Sequence, residues 1–228
     1  MNPVFVTGGT GYLGRPLIEA LVARGREVHA LVRPGSEPRL PRGARPVKGD
    51  ALDSASFVNA IPSGATVVHL VGTPHPSPAK AAEFRSVDLA SIRATSIAAK
   101  AAGAAHLVYV SAAHPAPVMK AYIAARIEGE RLVSATGIPA TILRPWYVLG
   151  PGHRWPYALL PLYALLSSIP ATQAAARRLG RVTHRAMVAA LVQAVETTPA
   201  SGVRAVEVPE IRSAVATRSH RDSPGSLQ

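Results

Sequence analysis

The sequence predicts an α/β protein, a doubly wound parallel sheet with helices on both faces and a small C-terminal lobe. Three observations predict it. Short β-branched runs alternate with alanine- and leucine-rich segments of helical period from residue 3 to residue 145. A glycine-rich turn stands where the first of these runs passes into the first helical segment. Beyond Pro145 the alternation stops, and an uncharged stretch broken by prolines begins.

Taken in order, Pro3 to Val6 is a short apolar strand leading into "TGGTGYLG". The following "RPLIEALVARG" repeats Leu17, Leu21 and Ile18, Val22 at helical spacing, with Pro16 in the first turn and Gly25 at the stop. "EVHALV" is the second strand, "RPGSEPRLPRG" a turn-rich connection and "ARPVKGD" the third strand. A short helix over Ser54–Ala60 precedes the buried strand "ATVVHLVG". A long alanine-rich helix runs from Ala79 to Ala102 and ends at Gly103. "AHLVYVSAA" is a strand, "KAYIAARIEGE" lies in a helix and "PATILRP" is a further strand. Near the C-terminus, "AMVAALVQAVE" places Met187, Leu191 and Val195 on one helical stripe, and "SGVRAVEV" reads as a late strand. The domain expectation is one unit over 1–213, with a core to 150, a lobe over 151–213 and a disordered polar tail over 214–228.

Composition narrows the function classes. A chain of 228 residues with 48% hydrophobic content buries one α/β core. It has no cysteine, which removes disulfides, thiolate metal sites and thiol nucleophiles. The net charge of +12 comes mostly from scattered arginines, with no basic run or aromatic-interleaved patch. The balance favours small anionic ligands over nucleic acid. The opening lacks the charged start of a secretory leader, so a cytoplasmic location is expected. Trp155–Ala176 carries no charge, but Pro156, Pro161 and Pro170 argue against a spanning helix. No histidine or carboxylate spacing suggests a metal, and the G-x-S-x-G elbow of serine hydrolases is absent.

The glycine turn carries the strongest chemical signal. Gly9, Gly11 and Gly14 have G-x-G-x-x-G spacing, while Thr7, Gly8, Gly11 and Gly14 fit T-G-x-x-G-x-x-G. Bare backbone lets a diphosphate approach, and the helix N-terminus then faces the anion. At the end of the second strand, enzymes that use NAD place an acidic residue on the ribose 2′-hydroxyl. Arg33 stands there instead. A guanidinium suits a 2′-phosphate, so NADP is expected over NAD.

"TGGTGYLG", "GDALD", "VYVSAA", the Tyr122 helix and "LRPWYVLGPG" together resemble the atypical short-chain dehydrogenases/reductases over roughly residues 3–210. The nearest subgroup is the NAD(P)-binding proteins similar to NmrA and to the accessory subunit of respiratory complex I. The resemblance implies a Rossmann-like fold. It implies that Gly8, Thr10, Gly11, Tyr12 and Leu13 cradle the cofactor phosphates, Asp50 and Ala51 flank the adenine, and Val71 and Gly72 lie along the adenosine. In the family's working enzymes a serine, a tyrosine and a lysine cooperate, and the lysine lies four residues after the tyrosine. Ser111 and Tyr122 match two of the three, and Arg126 takes the lysine's place.

Arginine keeps the positive charge but does not release a proton at workable pH. The expected activity is hydride transfer to or from a small carbonyl or quinone-like compound. Tyr122 would move the proton, Ser111 orient the substrate and Arg126 anchor the ribose. The alternative is a non-catalytic NADP-binding regulatory or assembly protein. Trp155, Tyr157, Leu160 and Tyr163 suit an apolar substrate, packing of the lobe onto the sheet or a hydrophobic partner surface alike, and a monomer or homodimer is expected.

Overall fold

A computed structural model describes residues 2–116, 118–149 and 180–221. Seven parallel strands form the main sheet in the order β3-β2-β1-β4-β5-β6-β9. They are β1 (Val4–Thr7), β2 (Val28–Val32), β3 (Arg45–Lys48), β4 (Thr66–His69), β5 (His106–Val110), β6 (Ala140–Arg144) and β9 (Val203–Glu207). A separate parallel pair joins β7 (Tyr147–Leu149) to β8 (Arg181–Thr183). The chain runs outward one way from β1 to β3, then returns to β4 on β1's other side. That reversal opens a crevice above the C-terminal ends of β1 and β4.

Period-2 alternation sorts the strand side chains between two faces. Val4, Val6, Val68, Val108 and Leu143 point to one face. There they meet Leu17, Ile18 and Leu21 of α1 (Gly14–Val22) and the apolar stripe of the later helix α4 (His184–Glu196). Phe5, Val67, Leu107, Tyr109 and Ile142 point to the other face. They meet Ile92, Ala98 and Ala99 of α2 (Ala90–Ala101) and Val133 of α3 (Lys120–Ala135).

Three expectations shift. The helix expected over 79–102 is not uniform: an α-turn over Ala81–Glu83 passes into a π-helical stretch, Phe84–Leu89, before α2. The wider turn lets Phe84 and Asp88 both be buried. Within the range 151–213 expected as a lobe, β9 extends the main sheet beside β6 and α4 packs on the α1 face, while residues 151–179 lie outside the described residues. Finally, α5 (Val208–Arg221) is helical well into the expected disordered tail. Val208, Ile211 and Ala214 form a buried stripe on it, and Pro209 falls in the first turn, where it costs nothing. The segment Trp155–Ala176 lies outside the described residues. Among the described residues, no helix is long and apolar enough to cross a membrane.

Candidate functional site

Every nucleotide-binding residue expected from the sequence follows the C-terminal end of a strand. Gly8, Thr10, Gly11, Tyr12 and Leu13 connect β1 to α1, Arg33 follows β2, Asp50 and Ala51 follow β3, and Val71 and Gly72 follow β4. Ser111 follows β5, and α3 starts close behind it with Tyr122 and Arg126. The topology thus gathers residues spread over more than half the chain along one edge.

The glycine turn is closed by its own backbone. The Gly11 amide donates to the Gly8 carbonyl at 3.0 Å. Gly8 has φ +76°, and a Cβ there would lie 2.8 Å from the Leu70 carbonyl carbon. A Cβ on Gly14 would collide with the Gly8 oxygen and the Gly9 backbone, so α1 can start this close to β1 only without a side chain. The first turn of α1 holds no acidic residue. This cradle of bare main chain at a helix N-terminus suits a dinucleotide diphosphate. One further group, missed in the sequence, adjoins it. His184, at the start of α4, donates its Nε2–H to the Tyr12 carbonyl at 3.0 Å, with the two rings 4.4 Å apart.

Arg33 is exposed, and its side chain makes no hydrogen bond or ion pair among the described residues. Asp50 is exposed too, and its Oδ1 accepts from the Leu52 amide at 2.9 Å.

The tyrosine end is built differently. The Tyr122 ring meets the Phe84 ring edge-on at 5.2 Å, and the Arg126 guanidinium carbon lies 5.0 Å from its centroid. Arg126 is itself buried. Its Nη1 donates to the Val110 carbonyl at 3.0 Å and its Nη2 to Asp88 Oδ1 at 2.6 Å. The other Asp88 oxygen accepts from the Thr73 amide at 2.9 Å and the Thr73 hydroxyl at 2.6 Å. Burial works against charge on Arg126, but the Tyr122, Tyr109 and Asp88 groups outweigh it and hold the guanidinium above its ordinary value.

The polar chain continues inward. The Ser91 hydroxyl donates to the Asp88 carbonyl at 3.1 Å and stands 3.3 Å from His69 Nε2. His69 Nδ1 stands 2.9 Å from Thr7 Oγ1 and 3.0 Å from Thr95 Oγ1. Burial, assisted by the Arg126 charge, lowers the His69 pKa to about 3, so the ring is neutral. A buried polar path therefore links Thr7, at the root of the glycine turn, to Arg126.

Ser111 is buried, with its hydroxyl close to Glu130. Glu130 accepts from Arg144 Nε at 2.9 Å and lies 3.3 Å from His114 Nε2. Burial raises the Glu130 pKa, but Arg144 and Ser111 overcome it and leave the carboxyl below its ordinary range. Tyr109 is a core residue, as its mid-strand position suggests. Among the described residues no group of three histidine or carboxylate side chains could hold a metal. The sequence reading also missed Asp88 and Thr73, since an acid inside an alanine-rich helix looks like a solvated charge.

A reversed parallel sheet, a bare glycine turn at its switch point and a tyrosine helix beside β5 define an atypical short-chain dehydrogenase/reductase of the Rossmann type. Residues 8–160 match the NAD(P)H-binding family, and the chain belongs to it.

Among curated proteins, a ceramide reductase of Caulobacter vibrioides is 32% identical over 92% of this chain and 65% of its own length. A 3-diazoavenalumate denitrifying reductase of Streptomyces is 34% identical over 65% of this chain and 57% of its own. A 4-hydroxy-2-methyl-3-oxo-4-farnesyl-3,4-dihydroquinoline-1-oxide ketoreductase of Stigmatella aurantiaca is 30% identical over 64% of this chain and 50% of its own. The chain thus spans between half and two thirds of the length of these relatives. Among solved structures, a short-chain dehydrogenase/reductase superfamily protein of Agrobacterium tumefaciens with bound NAD superposes with a TM-score of 0.66. It is 21% identical, over 90% of this chain and 77% of its own, a likeness of fold.

Proposed function

We propose that the chain is the nucleotide-binding and catalytic part of an NADP-dependent oxidoreductase, acting on a small apolar carbonyl or quinone-like compound. The observation that carries this reading is Tyr122 at the strand-end edge, with a buried cation 5.0 Å from the centre of its ring. When bound, the dinucleotide would supply or accept the hydride at its nicotinamide. Gly8, Thr10, Gly11, Tyr12 and Leu13 would hold its diphosphate, and Arg33, exposed at the end of β2, would meet the 2′-phosphate. In the reducing direction Tyr122 donates its phenolic proton to the substrate oxygen, with the Arg126 guanidinium held beside its ring. Ser111, buried against Glu130, has the weakest support of the three for a direct part. The names of the ceramide and farnesyl-quinoline reductases agree with an apolar substrate.

A second reading, a non-catalytic NADP-binding regulatory or assembly protein, is favoured by one observation. Arg126, standing where the family's lysine stands, is buried and paired with Asp88.

The deciding experiment titrates NADPH and NADH against the parent and Arg33→Asp, and then measures NADPH oxidation with a panel of apolar ketones and quinones. NADPH should bind about tenfold or more tightly than NADH, with that preference gone in Arg33→Asp. Turnover should vanish in Tyr122→Phe. Equal affinities in the parent would remove the NADP assignment. Tight binding with no turnover would favour the second reading.

A further inference from the structure

Resting on the oxidoreductase reading, we propose that Asp88 is a positioning residue whose carboxylate holds the Arg126 guanidinium as a fixed cation against Tyr122, so that residues 88 and 126 work only as a matched pair. The guanidinium is held by two acceptors on different elements. Asp88, at 1% exposure, takes Nη2 at 2.6 Å, and the Val110 carbonyl at the end of β5 takes Nη1 at 3.0 Å. On the β4 side Gly72 leaves room for it, since a Cβ there would lie 2.5 Å from Nη2. Asp88 is fixed in its turn by the two Thr73 donors and reaches the site from the π-helical stretch.

The planar fork of arginine serves two acceptors on different elements at once, which the compact ammonium of lysine does not reproduce. The unit holds positive charge in place and passes no proton. Changing Arg126 to the lysine usual in the family therefore harms the site even though the positive charge is kept.

The test is a double-mutant cycle with Asp88→Asn, Arg126→Lys and the combined variant. It is read on kcat and KM, on NADPH Kd, on melting temperature and on the ionisation of Tyr122, taken as the difference from the matching Tyr122→Phe proteins. Each single variant should lose about tenfold or more in kcat, and the double should lose little more than the worse single, because both changes remove one shared interaction. The Tyr122 midpoint should move in each single and little further in the double. Additive kcat effects, or singles that lower melting temperature while kcat and the Tyr122 midpoint hold, would make the pair a structural staple and overturn the proposal.

If the parent turns nothing over, the oxidoreductase reading fails by itself, and the Tyr122 midpoints still decide the pairing. Should a single variant not fold, Thr73→Val loosens Asp88 with both charges kept. It should lower kcat severalfold at unchanged KM and shift the Tyr122 midpoint, and no change in either overturns the proposal.

Discussion

The two faces of the sheet are built on opposite principles. On the α1 and α4 face the cluster is almost wholly aliphatic, running from Val4 and Leu17 to Met187 and Leu191. On the α2 and α3 face, apolar packing around Phe5, Phe57 and Ile92 surrounds a buried polar path through His69, Ser91, Asp88 and Arg126. The aliphatic face needs only volume and period. The polar face needs its buried charges paired, because an unpaired buried charge costs several kcal/mol. Tyr122 stands at the top of the polar face, where such pairing fixes geometry.

Breaking the turn that roots both faces should have the largest effect. Gly14→Ala forces a Cβ into the Gly8 and Gly9 backbone, which cannot yield as a flexible side chain would. We expect loss of NADPH binding in titration and a stability loss of about 3 kcal/mol or more in urea. Next, Leu191→Ala on the aliphatic face should cost about 2–5 kcal/mol in urea melts, with kcat of the folded protein unchanged. A kcat loss there would show that the faces are not independent.

Acid should act on buried histidines of both faces. Burial, with the Arg126 charge, lowers His69 to about 3, and burial lowers His106 to about 4. In the unfolded chain each takes a proton near pH 6.5, while the folded protein keeps both neutral. The unfolded state therefore binds more protons, and stability falls as pH drops below about 6.5, by up to about 1.4 kcal/mol per pH unit for each histidine. Urea midpoints at pH 7 and pH 5 should show this slope, and His69→Gln should remove about half of it. An unchanged slope would mean that the imidazole already protonates in the folded state. The smallest effect is expected at Arg131→Ala, whose exposed ion pair with Glu128 at 3.0 Å is worth under about 0.5 kcal/mol.

Much of the α1 half could be read from the sequence, because its signals are local. The glycine turn, the Leu17 and Leu21 stripe and the helix stop at Gly25 all lie within one stretch of chain. The Met187, Leu191 and Val195 stripe of α4 was legible for the same reason. The polar face was not. Asp88 and Arg126 are 38 residues apart, and each alone resembles an ordinary helix charge. Ser111 was placed correctly at the end of β5, but its burial against Glu130 depends on α3 lying across it. The helical run through residues 214–221 was hidden by polar composition, although Val208, Ile211 and Ala214 carry its apolar period.

By itself the sequence determined the alternation of strand and helix, the bare turn between β1 and α1, and the four-residue spacing of Tyr122 and Arg126. These are short-range matters of periodicity and steric allowance. Only the tertiary structure decided where the Arg126 charge goes. Its partners Asp88 and Val110 reach it from other elements, and a buried cation takes the position in which distant acceptors satisfy it.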